Sequence, residues 1–194
     1  MRNAIHVSIK SAVFAGILAC TSMANAQIQK PMEFIDPVYN PNYQRMVAAY
    51  AAIGTQNYAC QISNGVAKWV PTGPNAYLYY FSGSGFYYAG YHGLDDQGRP
   101  MWTLSNGSQF IANPDTKVIA DAPIPTGSSK NVTIPYLRMH AAVHTGNFTS
   151  AETVYRLYTS LGQPDASKCT TATPYTYVSV PYTAFYYFMY NSAF

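Results

Sequence analysis

Short aromatic segments separated by frequent turn signals constrain the fold of this chain more than any other feature of its sequence. Tyrosine and threonine favour the pleated, half-buried surface of a sheet, and the 194 residues include 19 tyrosines. The segments that we predict as strands are 47–63, 66–70, 76–81, 86–91, 101–104, 108–112, 117–120, 132–143, 153–159 and 175–190. Many short strands joined by turns predict an all-β fold, an antiparallel β-sandwich or barrel with long loops.

Turn-forming residues set the expected ends of these strands. Residues 71–75 contain two prolines and a glycine, which predicts a turn. Ser105-Asn106-Gly107 predicts a hairpin, because Asn-Gly tolerates positive φ. Pro181 is expected to break the last aromatic segment, which would form one or two strands. Residues 44–52 have a helix-forming composition, but the alternation that follows at residues 56–62 favours a strand.

The N-terminus has the pattern of an export signal. Arg2 and Lys10 precede a short apolar run at residues 11–19. The run is about half as long as the roughly 20 residues that a membrane span requires. Ala24-Asn25-Ala26 then supplies the small residues at which a signal peptidase cleaves. The alternative is a lipoprotein-like box at residues 17–20, in which Cys20 would carry the lipid that anchors the protein to a membrane.

Cleavage after Ala26 defines the expected organisation of the chain. Residues 1–26 are then a signal peptide, residues 27–42 a polar arm, and residues 43–194 a single β-rich domain. The mature protein is expected to be extracytoplasmic, either periplasmic or secreted. No later segment is long and apolar enough to predict a transmembrane helix.

Two cysteines, Cys60 and Cys169, remain once Cys20 leaves with the signal peptide. Export to an oxidising compartment predicts that they form a disulfide. The chain has no C-x-x-C spacing, so a structural bond is favoured over a redox or metal-binding role.

The charge content argues against nucleic acid as a partner. Two of the 11 basic residues, Arg2 and Lys10, lie in the predicted signal, so the mature chain is nearly neutral against its eight acidic residues. It has no basic stripe of the kind that binds phosphates. Aromatic residues make up 15% of the chain. Tyrosine offers a rigid ring with a polar tip, which suits contact with a glycan or a protein.

Seven motifs in order carry a resemblance to a known family. They are Gly54-x-Gln56-x-Tyr58-x-Cys60, then Trp69, then His92 with Trp102 and Asn106-Gly107-Ser108, then Ile134-Pro135-Tyr136-Leu137, then Tyr155-Arg156-Leu157-Tyr158-Thr159 with Gly162 and Pro164, then Cys169, and finally Val180-Pro181-Tyr182-Thr183-Ala184-x-Tyr186-Tyr187-Phe188. Over about residues 54–190 the chain resembles a family of exported bacterial and fungal proteins classed as a domain of unknown function. The resemblance implies one domain, supports the pairing of Cys60 with Cys169, and supplies no activity.

The chain departs from that family pattern at two positions. Asn106 stands where the pattern has an aspartate, and Phe185 stands where an acidic residue is usual. Some fungal members carry the label malate dehydrogenase, which this sequence does not support. Residues 83–88 contain two glycines but run into an aromatic strand, whereas a dinucleotide fold needs a glycine-rich turn that leads into a helix. No cofactor is predicted.

His92 is the residue best placed to act in a site. It ends an aromatic strand just before a loop that contains Asp95 and Asp96, where a scaffold commonly presents a working side chain. A carboxylate that orients a histidine makes it a general base, and Ser105 or Ser108 would then be the nucleophile. The sequence lacks the Gly-x-Ser-x-Gly elbow of serine hydrolases, so His92 is only a candidate catalytic residue.

The expected binding residues surround His92. If the strand at 86–91 pairs with the strand at 101–104, Tyr88, Tyr91, Trp102 and Asn106 converge with it. No metal site is predicted. His140 and His144 are four residues apart on a strand, roughly 13 Å at a rise of about 3.3 Å per residue, which is too far for one ion.

Three functions are compatible with these features. The leading hypothesis is an exported binding or cell-envelope-associated module that offers aromatic faces to a glycan or a protein. The second is a hydrolase centred on His92. The third is a structural surface protein whose exposed strand edges are adhesive.

Expression with the native N-terminus tests the predicted export. We expect the mature protein to begin at Gln27, because signal peptidase accepts small residues such as Ala24 and Ala26 before the cleavage site. N-terminal sequencing and intact-mass measurement of the exported protein check this. An intact Met1, or a lipid on Cys20, would contradict it.

Overall fold

The computed structural model describes residues 44–122 and 132–191, in which nine β-strands carry the fold. The predicted signal peptide (1–26) and polar arm (27–42) lie outside the described residues. The strands are β1 (Gln44–Ser63), β2 (Val66–Ser82), β3 (Gly85–Leu94), β4 (Pro100–Leu104), β5 (Gln109–Ala112), β6 (Val118–Ala120), β7 (Tyr136–His144), β8 (Thr153–Leu161) and β9 (Tyr177–Asn191). The described residues also include three single-turn 3-10 segments, and none of their helices is long and apolar enough to cross a membrane.

All nine strands belong to one antiparallel sheet, which confirms the predicted all-β fold. The strand order is β5-β4-β3-β2-β1-β9-β8-β7-β6, and an additional pairing joins β5 to β7. β5 and β6 pair with successive parts of β7, β5 with residues 141–144 and β6 with residues 136–138. The sheet therefore closes on itself, with β5 and β6 acting as two pieces of one interrupted strand.

Alternation along the strands divides the side chains between the inside and the outside of the closed sheet. On β9, Tyr182, Ala184, Tyr186 and Phe188 point inward and belong to the main hydrophobic core. Tyr187 belongs instead to a second buried cluster, on the opposite face, with residues of β7 and β8. Because successive side chains of a strand point to opposite faces, β9 is buried on both sides.

The turn predicted at residues 71–75 is wrong, because β2 runs through it. The register shifts opposite Asn57 and Tyr58, where β2 accommodates one extra residue, Thr72. β3 first pairs with β2 at Ala76, so residues 71–75 have a neighbouring strand on the β1 side only. Proline lacks an N–H group and is tolerated at such an edge or bulge.

The break predicted at Pro181 is also wrong, since β9 is continuous. The partner strand β8 ends at Leu161, opposite Tyr182, so Pro181 again lies where one side of the strand has no neighbour. The predicted strand at 132–143 starts later, at Tyr136, and is preceded by an isolated bridge between Thr133 and Gly162.

The predicted Cys60–Cys169 disulfide is confirmed, with the two Cα atoms 5.4 Å apart. Cys60 lies near the end of β1, and Cys169 follows a 3-10 turn in the loop before β9. The same loop is held by two backbone hydrogen bonds, in which the Cys60 N–H donates to Thr176 and the Tyr175 N–H donates to Cys60. The bond therefore ties a long loop to the strand at the centre of the sheet order.

Removing the disulfide tests how much it stabilises the fold. The two cysteines are 109 residues apart, and in the chain-entropy model a loop of that size is worth roughly 4–5 kcal/mol. We expect Cys60→Ala/Cys169→Ala to lower the free energy of unfolding by about 2–5 kcal/mol, the range for native disulfides of small secreted domains. Urea unfolding followed by tryptophan fluorescence measures it, and a loss below about 1 kcal/mol would contradict the prediction.

Candidate functional site

A cavity of about 380 Å³ opens at one end of the closed sheet. Its size falls within the range of roughly 300–1,000 Å³ typical of small-molecule sites. The wall combines polar side chains with apolar ones, and its polar and aromatic members are Gln56, Tyr58, Thr72, His92, Trp102, Lys117, Arg156 and Tyr186.

Strand pairing brings these side chains together, because each of them faces the interior at about the same height in the closed sheet. His92 on β3 is paired with Trp102 on β4, and on the other side of the sheet Arg156 of β8 is paired with Tyr186 of β9. On its other side His92 is paired with Ala76 of β2, which belongs to the main hydrophobic core.

Two aromatic rings form the buried end of the cavity. The imidazole of His92 and the indole of Trp102 are stacked, with ring centres 4.2 Å apart and planes within 5° of parallel. The ring of Tyr186 meets both of them edge-on, with centroid distances of 4.8 and 5.1 Å. This packing holds the two rings in one orientation.

His92 is neutral in the folded protein. Its Nδ1 donates a hydrogen bond of 2.9 Å to the carbonyl of Met101, which leaves Nε2 as an acceptor without a partner among the described residues. Burial lowers the pKa of His92 to about 3; the Met101 carbonyl opposes this shift and the positive charge of Arg156 adds to it. At neutral pH the ring therefore offers an acceptor atom and carries no charge.

Arg156 places a positive charge in the cavity wall. Its Nε and Nη2 donate to the carbonyl of Pro135 at 3.2 and 2.9 Å, which holds the half-buried guanidinium in place. Burial raises the pKa of Tyr58 and of Tyr186, and the charge of Arg156 opposes both rises. No carboxylate of the described residues pairs with Arg156, and the described lining contains no Asp or Glu.

Further polar groups line the same space. Trp102 is fully buried, and its Nε1 has no partner among the described residues. The Tyr58 hydroxyl donates to the Gly162 carbonyl at 2.8 Å. The amide of Gln56 makes one long contact of 3.5 Å to the Asn57 carbonyl, so most of its hydrogen-bonding capacity is unused.

The structure divides the five expected binding residues among three places. His92 and Trp102 lie together in the cavity. Tyr88 and Asn106 line a separate depression of about 390 Å³, with Ser105 and Asn147. Tyr91 lies half-buried against the ring of Tyr77 at 6.4 Å.

The groups needed for hydrolysis do not meet at His92. Asp95 forms an ion pair with Arg99 at 2.7 Å and also accepts from the backbone of Gln97, which stabilises the β3–β4 turn. The hydroxyl of Ser108 accepts from the Asn147 N–H, and Ser105 lines the separate depression. The described hydrogen bond of the His92 ring is to a carbonyl rather than to a carboxylate or a serine.

An aromatic hairpin forms a second exposed feature. The tip of β2 and β3 carries the facing ring pairs Tyr80–Tyr87 and Phe81–Phe86, each with centroids 5.5 Å apart. These four side chains are between 43% and 55% exposed. β1 first pairs with β2 at Tyr79 and β4 reaches β3 at Gly90, so this tip extends past its neighbouring strands. Residues 76–91 contain no Asp, Glu, Lys or Arg.

Six polar or aromatic cavity residues were not among the expected site residues: Gln56, Tyr58, Thr72, Lys117, Arg156 and Tyr186. All of them except Thr72 and Lys117 lie in the motifs that carry the family resemblance. The sequence gives one further indication for Arg156. Because successive side chains of a strand point to opposite faces, Arg156 lies on the face opposite that of its buried neighbours Tyr155 and Leu157. The two positions at which this chain departs from the family pattern, Asn106 and Phe185, do not line the cavity.

A closed antiparallel sheet with a partly polar cavity at one end defines this chain as an all-β protein with a ligand-sized interior site. The chain belongs to the family described as "Protein of unknown function (DUF3455)", whose family model matches residues 41–190. This confirms the resemblance seen in the sequence motifs. Comparison with curated proteins and with solved structures gave no match.

The neutral state of His92 predicts a pH-dependent stability. Its folded-state pKa of about 3 lies below the ordinary 6.5, so between these values the unfolded chain binds a proton that the folded chain does not. Stability is therefore lost as the pH falls through this window, by up to roughly 1.4 kcal/mol per pH unit from this group. We expect His92→Gln to reduce that slope in urea unfolding measured between pH 4.5 and 7.

His144→Gln is the matched control, because His144 is exposed and lies outside the cavity. It should leave the slope of the unfolding free energy against pH close to that of the unsubstituted protein. An NMR titration adds a check that needs no variant: the His92 ring signals should not titrate between pH 4.5 and 7.5. A His92 ring that titrates near pH 6.5 would contradict the prediction.

Proposed function

We propose that this protein is an exported binding protein that holds a small molecule in the cavity at one end of its closed sheet. The observation that carries the proposal is the arrangement of His92, Trp102 and Arg156 around a cavity of about 380 Å³. A binding site needs an enclosed volume, apolar surface and a few fixed polar groups. The cavity supplies all three, because stacking fixes His92 and Trp102 and the Pro135 carbonyl fixes Arg156.

The disulfide supports the proposed location. A Cys60–Cys169 bond persists in oxidising compartments such as the periplasm or the extracellular space. We propose that residues 1–26 are removed on export, and that residues 43–194 form a single exported domain that is either free or associated with the cell envelope.

Binding is favoured over the two other hypotheses by specific contacts. A hydrolase centred on His92 would need a carboxylate on Nδ1, where the Met101 carbonyl lies instead. An adhesive structural protein would need long open strand edges, whereas the β5–β7 pairing joins the two ends of the strand order and leaves only short stretches of edge without a neighbour.

A second binding surface is supported by the aromatic hairpin. Tyr80 and Tyr87 offer ring faces with hydroxyl tips, and the surrounding residues 76–91 include no Asp, Glu, Lys or Arg. These features suit an uncharged glycan, which can pack a sugar ring on an aromatic face and accept hydrogen bonds from the hydroxyls. The cavity remains the first candidate because it encloses its ligand.

A ligand screen on the mature protein tests the proposed function. Thermal unfolding is measured against a panel of neutral oligosaccharides and small organic molecules. A ligand at about 100 times its Kd stabilises the fold by roughly 2.7 kcal/mol, which raises the Tm by several degrees. We expect at least one such ligand, and we expect its effect to disappear in Thr72→Trp, which places a large ring at the rim of the cavity.

Tyr80→Ser is the matched control, since Tyr80 belongs to the hairpin and does not line this cavity. Binding that survives Tyr80→Ser and is lost in Thr72→Trp supports the cavity. The reverse result assigns binding to the hairpin, and binding insensitive to both variants contradicts the proposal. If the protein hydrolyses any panel member, and His92→Ala lowers that rate by roughly 100-fold, the hydrolase hypothesis is established instead.

A further inference from the structure

Arg156 is the feature of the cavity that a neutral ligand leaves unexplained. The residue is half-buried, and its neighbours on the strand, Tyr155 and Leu157, are fully buried on the opposite face. Its described partners are neutral groups: the Pro135 carbonyl accepts two hydrogen bonds, and the Tyr186 hydroxyl is also hydrogen-bonded to the Arg156 side chain. A buried charge is costly unless it is paired, and no carboxylate of the described residues lies against this one.

One further charged group of the cavity also favours an anionic ligand, whereas the neutral ring of His92 offers a hydrogen-bond acceptor. Lys117 lies in the lining and adds a second cation at the rim. The indole N–H of Trp102 is buried and has no partner among the described residues, so it gives no evidence of a contact with a ligand. The Tyr186 hydroxyl lies beside Arg156, whose charge opposes the rise that burial causes in its pKa. Two cations, Arg156 and Lys117, therefore line the cavity, and its described lining contains no acid to pair with them.

The remaining wall is apolar. Ile119, Ile134, Leu137 and Met139 line the cavity together with the stacked rings of His92 and Trp102. A free inorganic anion would leave these surfaces without contact, whereas an organic anion can bury its apolar body against them.

We propose that the ligand of this cavity is a small organic acid whose carboxylate pairs with Arg156 and whose apolar body packs against His92, Trp102 and the aliphatic wall. This inference rests on the proposed function and adds the chemical class of the ligand. Guanidinium and carboxylate groups match in shape, and their charge-assisted hydrogen bonds are about twice as strong as neutral ones. Arg156 is thus the specificity-determining residue, because it distinguishes an acid from its neutral analogue.

Fluorescence of Trp102 provides the test. The chain has two tryptophans, and Trp69 lies outside the cavity with its Nε1 bonded to the Asp165 carbonyl. In the mature Trp69→Phe protein, Trp102 is the single indole. Titration with benzoate and hexanoate is compared with titration by benzamide and hexanamide, which have the same shape without the charge.

We expect each acid to bind at least about tenfold more tightly than its amide, the size of one charge-assisted hydrogen bond. Arg156→Gln should abolish this preference while amide binding stays within about twofold, which also shows that the cavity is folded. Arg156→Lys should keep part of the preference because it retains the charge. Lys168→Gln, which removes an exposed cation outside the cavity, should change nothing.

The outcomes separate this inference from the proposed function. Equal binding of acids and amides, or a preference that persists in Arg156→Gln, overturns the assignment to an organic acid and leaves a neutral cavity ligand. Inorganic phosphate that binds more tightly than benzoate overturns the carboxylate assignment. If neither series binds but another ligand is lost in Thr72→Trp, the proposed function stands and this inference fails; if no ligand responds to Thr72→Trp, both fail.

Discussion

The pairing of β5 with β7 closes the sheet, and the interior of this protein depends on it. Phe110 and Ile111 of β5 face His144 and Val143 of β7, and the Thr145 N–H extends the ladder by donating to the Gln109 carbonyl. Closure satisfies backbone groups that an open edge would expose. It also means that all inward-pointing side chains share one bounded volume, so a change in one of them is felt across the interior.

The packing of that volume differs along the sheet: aromatic rings fill its centre, and the cavity lies at the end that contains His92. Towards the centre, Phe110, Phe148 and Phe188 pack edge-to-face or tilted with centroids 4.4–6.0 Å apart. At the His92 end the inward residues of β1 and β2 include Gly54 and Ala76, which lie opposite each other. A Cβ at Gly54 would collide with the backbone of Asn75 and Ala76, so β1 and β2 approach each other closely at this point.

Electrostatics within this closed volume follow from the same geometry. Burial keeps His92 neutral at ordinary pH, while a guanidinium cannot lose its proton and stays charged. The sheet therefore places one obligatory charge, Arg156, next to groups that burial keeps uncharged. In a medium of lower dielectric than water, that charge acts more strongly on its neighbours than the exposed Lys117 at the rim, which is why the proposed ligand is an anion.

The sequence by itself determined the all-β class, most strand positions and the disulfide partners, and it named His92 and Trp102, which lie together in the cavity. These depend on local alternation, on counting cysteines and on one hairpin, all of which can be read along the chain. Pro71, Pro74 and Pro181 led to wrong predictions of a turn and a strand break. A strand tolerates a proline where it has no neighbour to receive the missing N–H, and strand pairing decides where that is. Only the tertiary structure decided that Arg156 and Tyr186 face His92 while Tyr88 and Asn106 line another depression. The physical reason is that closure sets the register between strands far apart in sequence, and register determines which inward side chains share one end of the sheet.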